Sequence, residues 1–143
     1  MVVRPPMLQQ LLSPLQPKVK RVLGFRLARE LDDCGKDIMA VFGVADFYRD
    51  YENVWEWVES SKGEQMHVNI SRPHNWKTGD YDVPVMVHVS GPATRLTDEL
   101  LFGYAQQMAD RLRTEVWIGQ PVFQDKNDSR YEFDIATRFS PMA

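Results

Sequence analysis

A single cysteine, Cys34, in 143 residues removes two possibilities at once. No intrachain disulfide can form, and no cysteine-based zinc site can be assembled. Nothing around Cys34 in the sequence would activate a thiolate, so a plain structural or surface thiol is expected. Long apolar runs are missing too, since none approaches the roughly 20 residues of a membrane-spanning helix. The stretch Met7-Leu8-Gln9-Gln10-Leu11-Leu12 is too short and too interrupted for a signal-peptide core, and no small-residue cleavage site follows. A cytoplasmic chain with no membrane attachment is expected. The nucleotide-binding and nucleophile motifs G-x-x-x-x-G-K-[ST], G-x-G-x-x-G and G-x-S-x-G are all absent. Ser90-Gly91 lacks the preceding glycine of a nucleophile elbow. No His-x-x-x-His or His-Glu pairing occurs, so neither a cofactor nor a metal is expected.

A basic excess is lacking as well. The net charge is -3, with 43% apolar and 26% charged residues, which is ordinary for one globular domain. The charge is uneven. Residues 1–35 hold six basic against three acidic groups, a net of +3, which leaves -6 for the rest. Such a body lacks the basic footprint that phosphate binding needs, so nucleic acid is not an expected partner. It suits a cationic protein instead.

What is present is alternation. Met66, Val68 and Ile70 point one way and His67, Asn69 and Ser71 the other. Val83, Val85, Val87 and Val89 share a face opposite Met86, His88 and Ser90. Two strands over about 65–72 and 83–90 follow from this period of two. Between them runs the polar, aromatic loop Arg72 to Asp82, longer than a tight hairpin requires.

Elsewhere the pattern predicts six more elements and an arm. Residues 1–17 carry Pro5, Pro6, Pro14 and Pro17 and read as a proline-rich arm ahead of a single domain over 18–143. Val19, Val22, Leu23, Leu27 and Leu31 recur at helical spacing up to Gly35, which favours an N-terminal helix; a strand over Arg21–Leu27 is the rival. The apolar run Ile38–Val44 suits a central strand. Asp46 then caps a helix with Phe47, Tyr48, Tyr51, Val54, Trp55 and Val58 on one face, ended by Gly63, with Trp57 near the edge of that face. Thr97 caps a second helix with the stripe Leu101, Tyr104, Ala105, Met108 and Leu112. Glu115–Gly119 and Tyr131–Phe139 read as strands, separated by the polar turn 124–130. The expected fold is α+β: a two-layer sandwich, ferredoxin-like β-α-β-β-α-β with an extra C-terminal strand and an N-terminal helix.

In that fold one sheet face would stay open, presenting His67, Asn69, Ser71, His88, Glu132 and Asp134, with Trp117 beside the histidines. Two histidines and two carboxylates can run acid–base chemistry, yet a solvated sheet face needs polar residues in any case. The loop adds Arg72, His74, Trp76, Asp80, Tyr81 and Asp82, and Arg, Trp and Tyr are the types enriched at binding hot spots. Loops also carry function more often than strands. The alternative is that Trp76 folds back as a lid while Thr78-Gly79-Asp80 makes a solvated turn.

The segment Val68-Asn69-Ile70-Ser71-Arg72-Pro73-His74-Asn75-Trp76, with Gly79-Asp80-Tyr81 and Pro84-Val85, resembles small immunity proteins of bacterial polymorphic or contact-dependent toxin systems. The likeness covers about a fifth of the chain and is one of general style, with an acidic α+β build and no catalytic motif. It implies a binding protein with no chemistry of its own, which covers the active site of a cognate toxin. The proline-rich arm is not part of that pattern. It suits the alternative, a phage or secretion-system assembly protein whose arm docks on a neighbouring subunit. A third possibility, a small enzyme, would require His67, His88 and Asp134 to converge.

Overall fold

A computed structural model describes residues 17–73, 83–123 and 131–142. The chain order is β1 (Lys18–Arg26), α1 (Leu31–Val41), β2 (Phe47–Glu52), β3 (Trp55–Ser60), β4 (His67–Pro73), β5 (Pro84–Pro92), a 3-10 turn (Ala93–Arg95), α2 (Asp98–Leu112), β6 (Val116–Phe123) and β7 (Tyr131–Phe139). The strands make one seven-stranded sheet in the order β2-β3-β4-β5-β1-β6-β7, and every neighbouring pair is antiparallel.

This overturns the ferredoxin-like β-α-β-β-α-β expectation in three places. The N-terminal helix is strand β1, because tertiary pairing on both sides, with β5 and β6, claims residues whose spacing alone allowed either state. The expected central strand Ile38–Val44 is instead the second half of helix α1 and the turn that follows it. Gly35, expected to end a helix, lies inside α1, where a Cβ would come within 3.0–3.3 Å of the Val58 side chain. The glycine lets the helix approach β3 closely.

The third correction is the largest. Residues 47–60, within the helix expected between Asp46 and Gly63, form the β2–β3 hairpin. Glu52 pairs with Trp55, so Asn53-Val54 is a two-residue turn, with Asn53 in the left-handed region at φ 55°. Trp55, Glu56, Trp57, Val58, Glu59 and Ser60 alternate strictly between half-buried and buried. Aromatic and β-branched residues favour that arrangement.

Helix α2 forms where expected. The Thr97 hydroxyl accepts the Leu100 N–H at 3.2 Å, Asp98 and Glu99 sit in the first turn, and Leu101, Ala105, Met108, Ala109 and Leu112 are buried. Helix α1 lies against β3 and β4, and α2 against β6 and β7. Phe42, just past α1, meets Tyr104 of α2 with ring centroids 4.9 Å apart, so both helices share one sheet face. The core between helices and sheet contains Leu23, Phe25, Val58, Val68, Ile70, Val85, Val87, Val89 and Val116.

Three polar side chains are buried with them: Glu56, Ser60 and Arg72. The Ser60 hydroxyl accepts the Val68 N–H at 2.9 Å. Arg72 Nε donates to Glu56 Oε1 at 2.7 Å, and its Nη1 donates to the Arg29 carbonyl at 2.6 Å. The other Glu56 oxygen accepts from Arg49 Nη2 at 2.9 Å. Arg49 in turn faces Asp32 of α1 at 3.6 Å. A buried ion pair of this kind is tolerated because each charge has partners.

Candidate binding site

The sheet face away from the helices is built by the alternate residues of each strand. Opposed residues in an antiparallel ladder place their side chains on the same side. From β2 and β3 come Asp50, Glu52, Trp55, Trp57 and Glu59; from β4 and β5 come His67, Asn69, Ser71, Met86 and His88. Lys18, Lys20, Val22, Gly24 and Arg26 of β1 follow, then Trp117 of β6. The face is therefore aromatic along β3 and graded in charge, acidic at the β2–β3 end and basic along β1.

That face is not open across its whole width. The β6–β7 hairpin bends back across it. A register shift at Ile118/Gly119 marks the bend, which is how a bulge redirects a strand. Beyond it, the Phe133 ring lies over Gly24, where a Cβ would meet ring atoms at 2.7–2.9 Å. Trp117 packs on Phe133 with centroids 5.5 Å apart. The Tyr131 hydroxyl donates to the Pro84 carbonyl on β5, and burial raises the Tyr131 pKa. Phe123 and Tyr131 reach Trp55 of β3 at 6.3 and 6.2 Å, although three strands separate β3 from β6 in the sheet.

Between this roof and the sheet a cavity of about 370 Å³ remains, lined by Glu52, Asn53, Trp55, Trp57, Ser71, Met86 and Phe123. Its walls come from β2, β3, β4, β5 and β6 and from the β2–β3 turn. They are mostly aromatic and apolar with a few polar groups at the rim, which is the usual make-up of a ligand pocket.

The residues singled out from the sequence scatter around this site. His67 lies on the same face, and its Nε2 is 2.8 Å from Glu59 Oε1. Burial raises the Glu59 pKa, but hydrogen bonds from the Tyr48 hydroxyl and His67 outweigh it and leave the carboxyl lowered. His88 shares the face, with its pKa lowered by the desolvating strands around it and then by Lys20. Trp117 also lies there, its indole N–H donating to Glu115 at 2.7 Å. Glu132 and Asp134 do not join them. They alternate with Tyr131 and Phe133 and so point to the outer side of the hairpin. The shift in register also breaks the single-face reading of β7, because Phe139 packs on Phe102 of α2 while Phe133 packs on Gly24.

Arg72 is a correction of another kind. Expected on a contact loop, it is the next-to-last residue of β4 and is fully buried against Glu56. His74, Trp76, Asp80, Tyr81 and Asp82 lie outside the described residues, as does the arm up to residue 16. With Asp134 turned outward, the trio His67, His88 and Asp134 is not assembled. Among the described residues, no group of three His, Cys, Asp or Glu could hold a metal ion.

The pocket residues Trp55, Trp57, Glu52 and Asn53 were missed because the helical reading of 46–59 dispersed them. The alternation Trp55-Glu56-Trp57-Val58-Glu59 was the signal that could have found them.

No family model and no curated protein matches the chain. Among solved structures it is similar to the Pseudomonas aeruginosa T6SS protein PA0821, at 14% identity and a TM-score of 0.37. The likeness covers 71% of this chain and 40% of that one, so the chain spans well under half of that protein. Among the described residues, no helix is long and apolar enough to cross a membrane.

Proposed function

We propose that this chain is a non-enzymatic protein-binding domain whose partner docks on the aromatic sheet face beneath the β6–β7 roof. The observation that carries the reading is the 370 Å³ cavity walled by Trp55, Trp57, Met86 and Phe123. Clustered, half-buried tryptophans beside an apolar hollow are what anchoring side chains need. The finer form of the proposal is an immunity protein that covers the active site of a cognate bacterial toxin. The acidic groups Asp50, Glu52 and Glu59 at this end of the face support a basic partner of that kind.

The test is to co-express the chain with the product of the adjoining gene and titrate the two purified proteins. Protection of the host and tight binding are expected. Trp57→Ala, which removes one wall, should weaken binding about tenfold or more while the chain stays folded. A wild-type chain that neither binds nor protects against that product would sink the immunity form. Unchanged affinity in Trp57→Ala would move the docking surface elsewhere.

A further inference from the structure

The chemistry of the pocket goes beyond general stickiness. Trp55 and Trp57 stand two residues apart on one strand, so both indoles project to the same side. Directly across the β2–β3 ladder, Glu52 opposes Trp55 and Asp50 opposes Trp57. Opposed side chains in such a pair start only about 5 Å apart at Cβ. Each tryptophan therefore has a carboxylate as its direct neighbour on β2, with Pro73 and Ser71 opposite on β4. Glu52 itself lines the cavity; among the described residues no basic residue does, and neither Asp50 nor Glu52 has an ion pair.

We infer that this pocket receives an arginine side chain of the docking partner, stacked on Trp55 and Trp57 and paired with Glu52. The inference rests on the protein-docking reading of the same face. Two occupants compete, an apolar anchor and a cation. An apolar anchor would satisfy the walls but would leave Glu52, exposed at the rim, without an ion partner. A cation satisfies both. Tryptophan is the best aromatic surface for a cation, and arginine is the cation most often found there. The planar guanidinium can lie on an indole while its edge donates to the carboxylate, and a lysine ammonium cannot do both. The aliphatic stem would lie against Met86 and Phe123. The cavity of about 370 Å³ sits at the small end of the roughly 300–1,000 Å³ range for ligand pockets, which fits one long side chain. Ser71, in the lining, offers a hydroxyl acceptor.

The experiment uses the whole chain and three capped pentapeptides, identical except for arginine, citrulline or norleucine at the centre. Nuclear magnetic resonance follows the four indole N–H signals, assigned with single tryptophan-to-phenylalanine variants. The arginine peptide should shift the Trp55 and Trp57 signals and leave Trp117 in place. It should bind about tenfold tighter than the citrulline peptide. Glu52→Gln should cut that affinity about three- to fivefold without affecting the citrulline peptide, and added salt should do the same. Equal or tighter binding of the norleucine or citrulline peptide would overturn the inference, as would binding of the arginine peptide that leaves Trp55 and Trp57 unmoved. If no peptide binds while Trp57→Ala still weakens the partner protein, the arginine assignment falls and the docking face stands. If Trp57→Ala has no effect on that partner either, both fall.

Discussion

Arg72→Met should cost stability and leave partner binding intact once the chain is folded. In the native fold both Arg72 and Glu56 are fully buried, and they meet at 2.7 Å. Removing the guanidinium leaves the Glu56 carboxylate in the core with, among the described residues, one remaining charged partner, Arg49 at 2.9 Å. It also strips the Arg29 carbonyl of its donor. Breaking a buried pair from one side costs about 3–5 kcal/mol. Arg49 keeps part of the charge compensated, so the lower end, about 3 kcal/mol, applies here. For a domain of this size that lowers Tm by on the order of 10 °C. Glu56→Leu should cost a similar amount for the mirror reason. The double variant removes both charges, so it should be less destabilised than the sum of the singles by about 2 kcal/mol. Urea unfolding followed by circular dichroism, closed into a double-mutant cycle, measures all four corners. Single costs below about 1 kcal/mol, or costs that simply add, would refute the view that the pair is desolvated and mutually dependent.

Three further outcomes follow from the same geometry. Gly24→Val should drive Phe133 off the sheet and cost about 1–3 kcal/mol by overpacking, seen as a lower Tm together with a shifted Trp117 indole resonance. The His88 ring should titrate below 6.5, and Lys20→Met should raise its midpoint only in part, since desolvation is the larger cause. A lowered folded pKa means that the unfolded chain takes up the proton first; the contribution of His88 is complete above the unfolded value and is lost as pH falls through the folded one, so His88→Gln should flatten the fall in Tm between neutral and mildly acidic pH. Cys34 is buried, and desolvation raises its pKa against the opposing pull of Arg29 and Arg72. A thiol reagent should therefore modify it only at the rate of opening, and stoichiometric labelling within mixing time would contradict that burial.

The elements that sequence reading placed correctly are those whose pattern has one period. Residues 66–71 and 83–90 alternate strictly, and the strands expected over about 65–72 and 83–90 form as β4 (His67–Pro73) and β5 (Pro84–Pro92). Thr97, its two following acids and a stripe three to four apart allowed no other reading than helix α2. Misreadings fell where one string of residues fits two periods. Phe47, Tyr48, Tyr51, Val54, Trp55 and Val58 lie on a helical stripe, but Trp55, Trp57 and Glu59 also lie on one side of a strand. The buried side of β3 carries Glu56 and Ser60, so polarity did not mark the exposed side. Apolar-in, polar-out patterning fails when the core holds an ion pair and the other face holds tryptophans. The site suffered accordingly: His67, His88 and Trp117 lie on the face expected of them, Arg72 lies buried in β4 and not on a contact loop, and Glu132 and Asp134 are separated from that face by a register shift no local pattern announces.

Local sequence thus determined the period of β4 and β5, the start of α2, the lack of disulfide or cysteine-zinc chemistry, and the acidic balance of the body. The first two depend on side chains within a few residues of each other, and the last two on composition alone. Tertiary structure decided that residues 18–26 pair as a central strand and that 46–60 fold as a hairpin. It also carried Phe123 and Tyr131 across the sheet to Trp55. The strand and the crossing of the sheet depend on contacts between residues far apart in the chain, and the hairpin on its pairing with β4, so burial and cross-strand pairing outweigh local preference. The pocket needs such contacts, since Ser71, Met86 and Phe123 reach the β2–β3 hairpin only in the folded sheet.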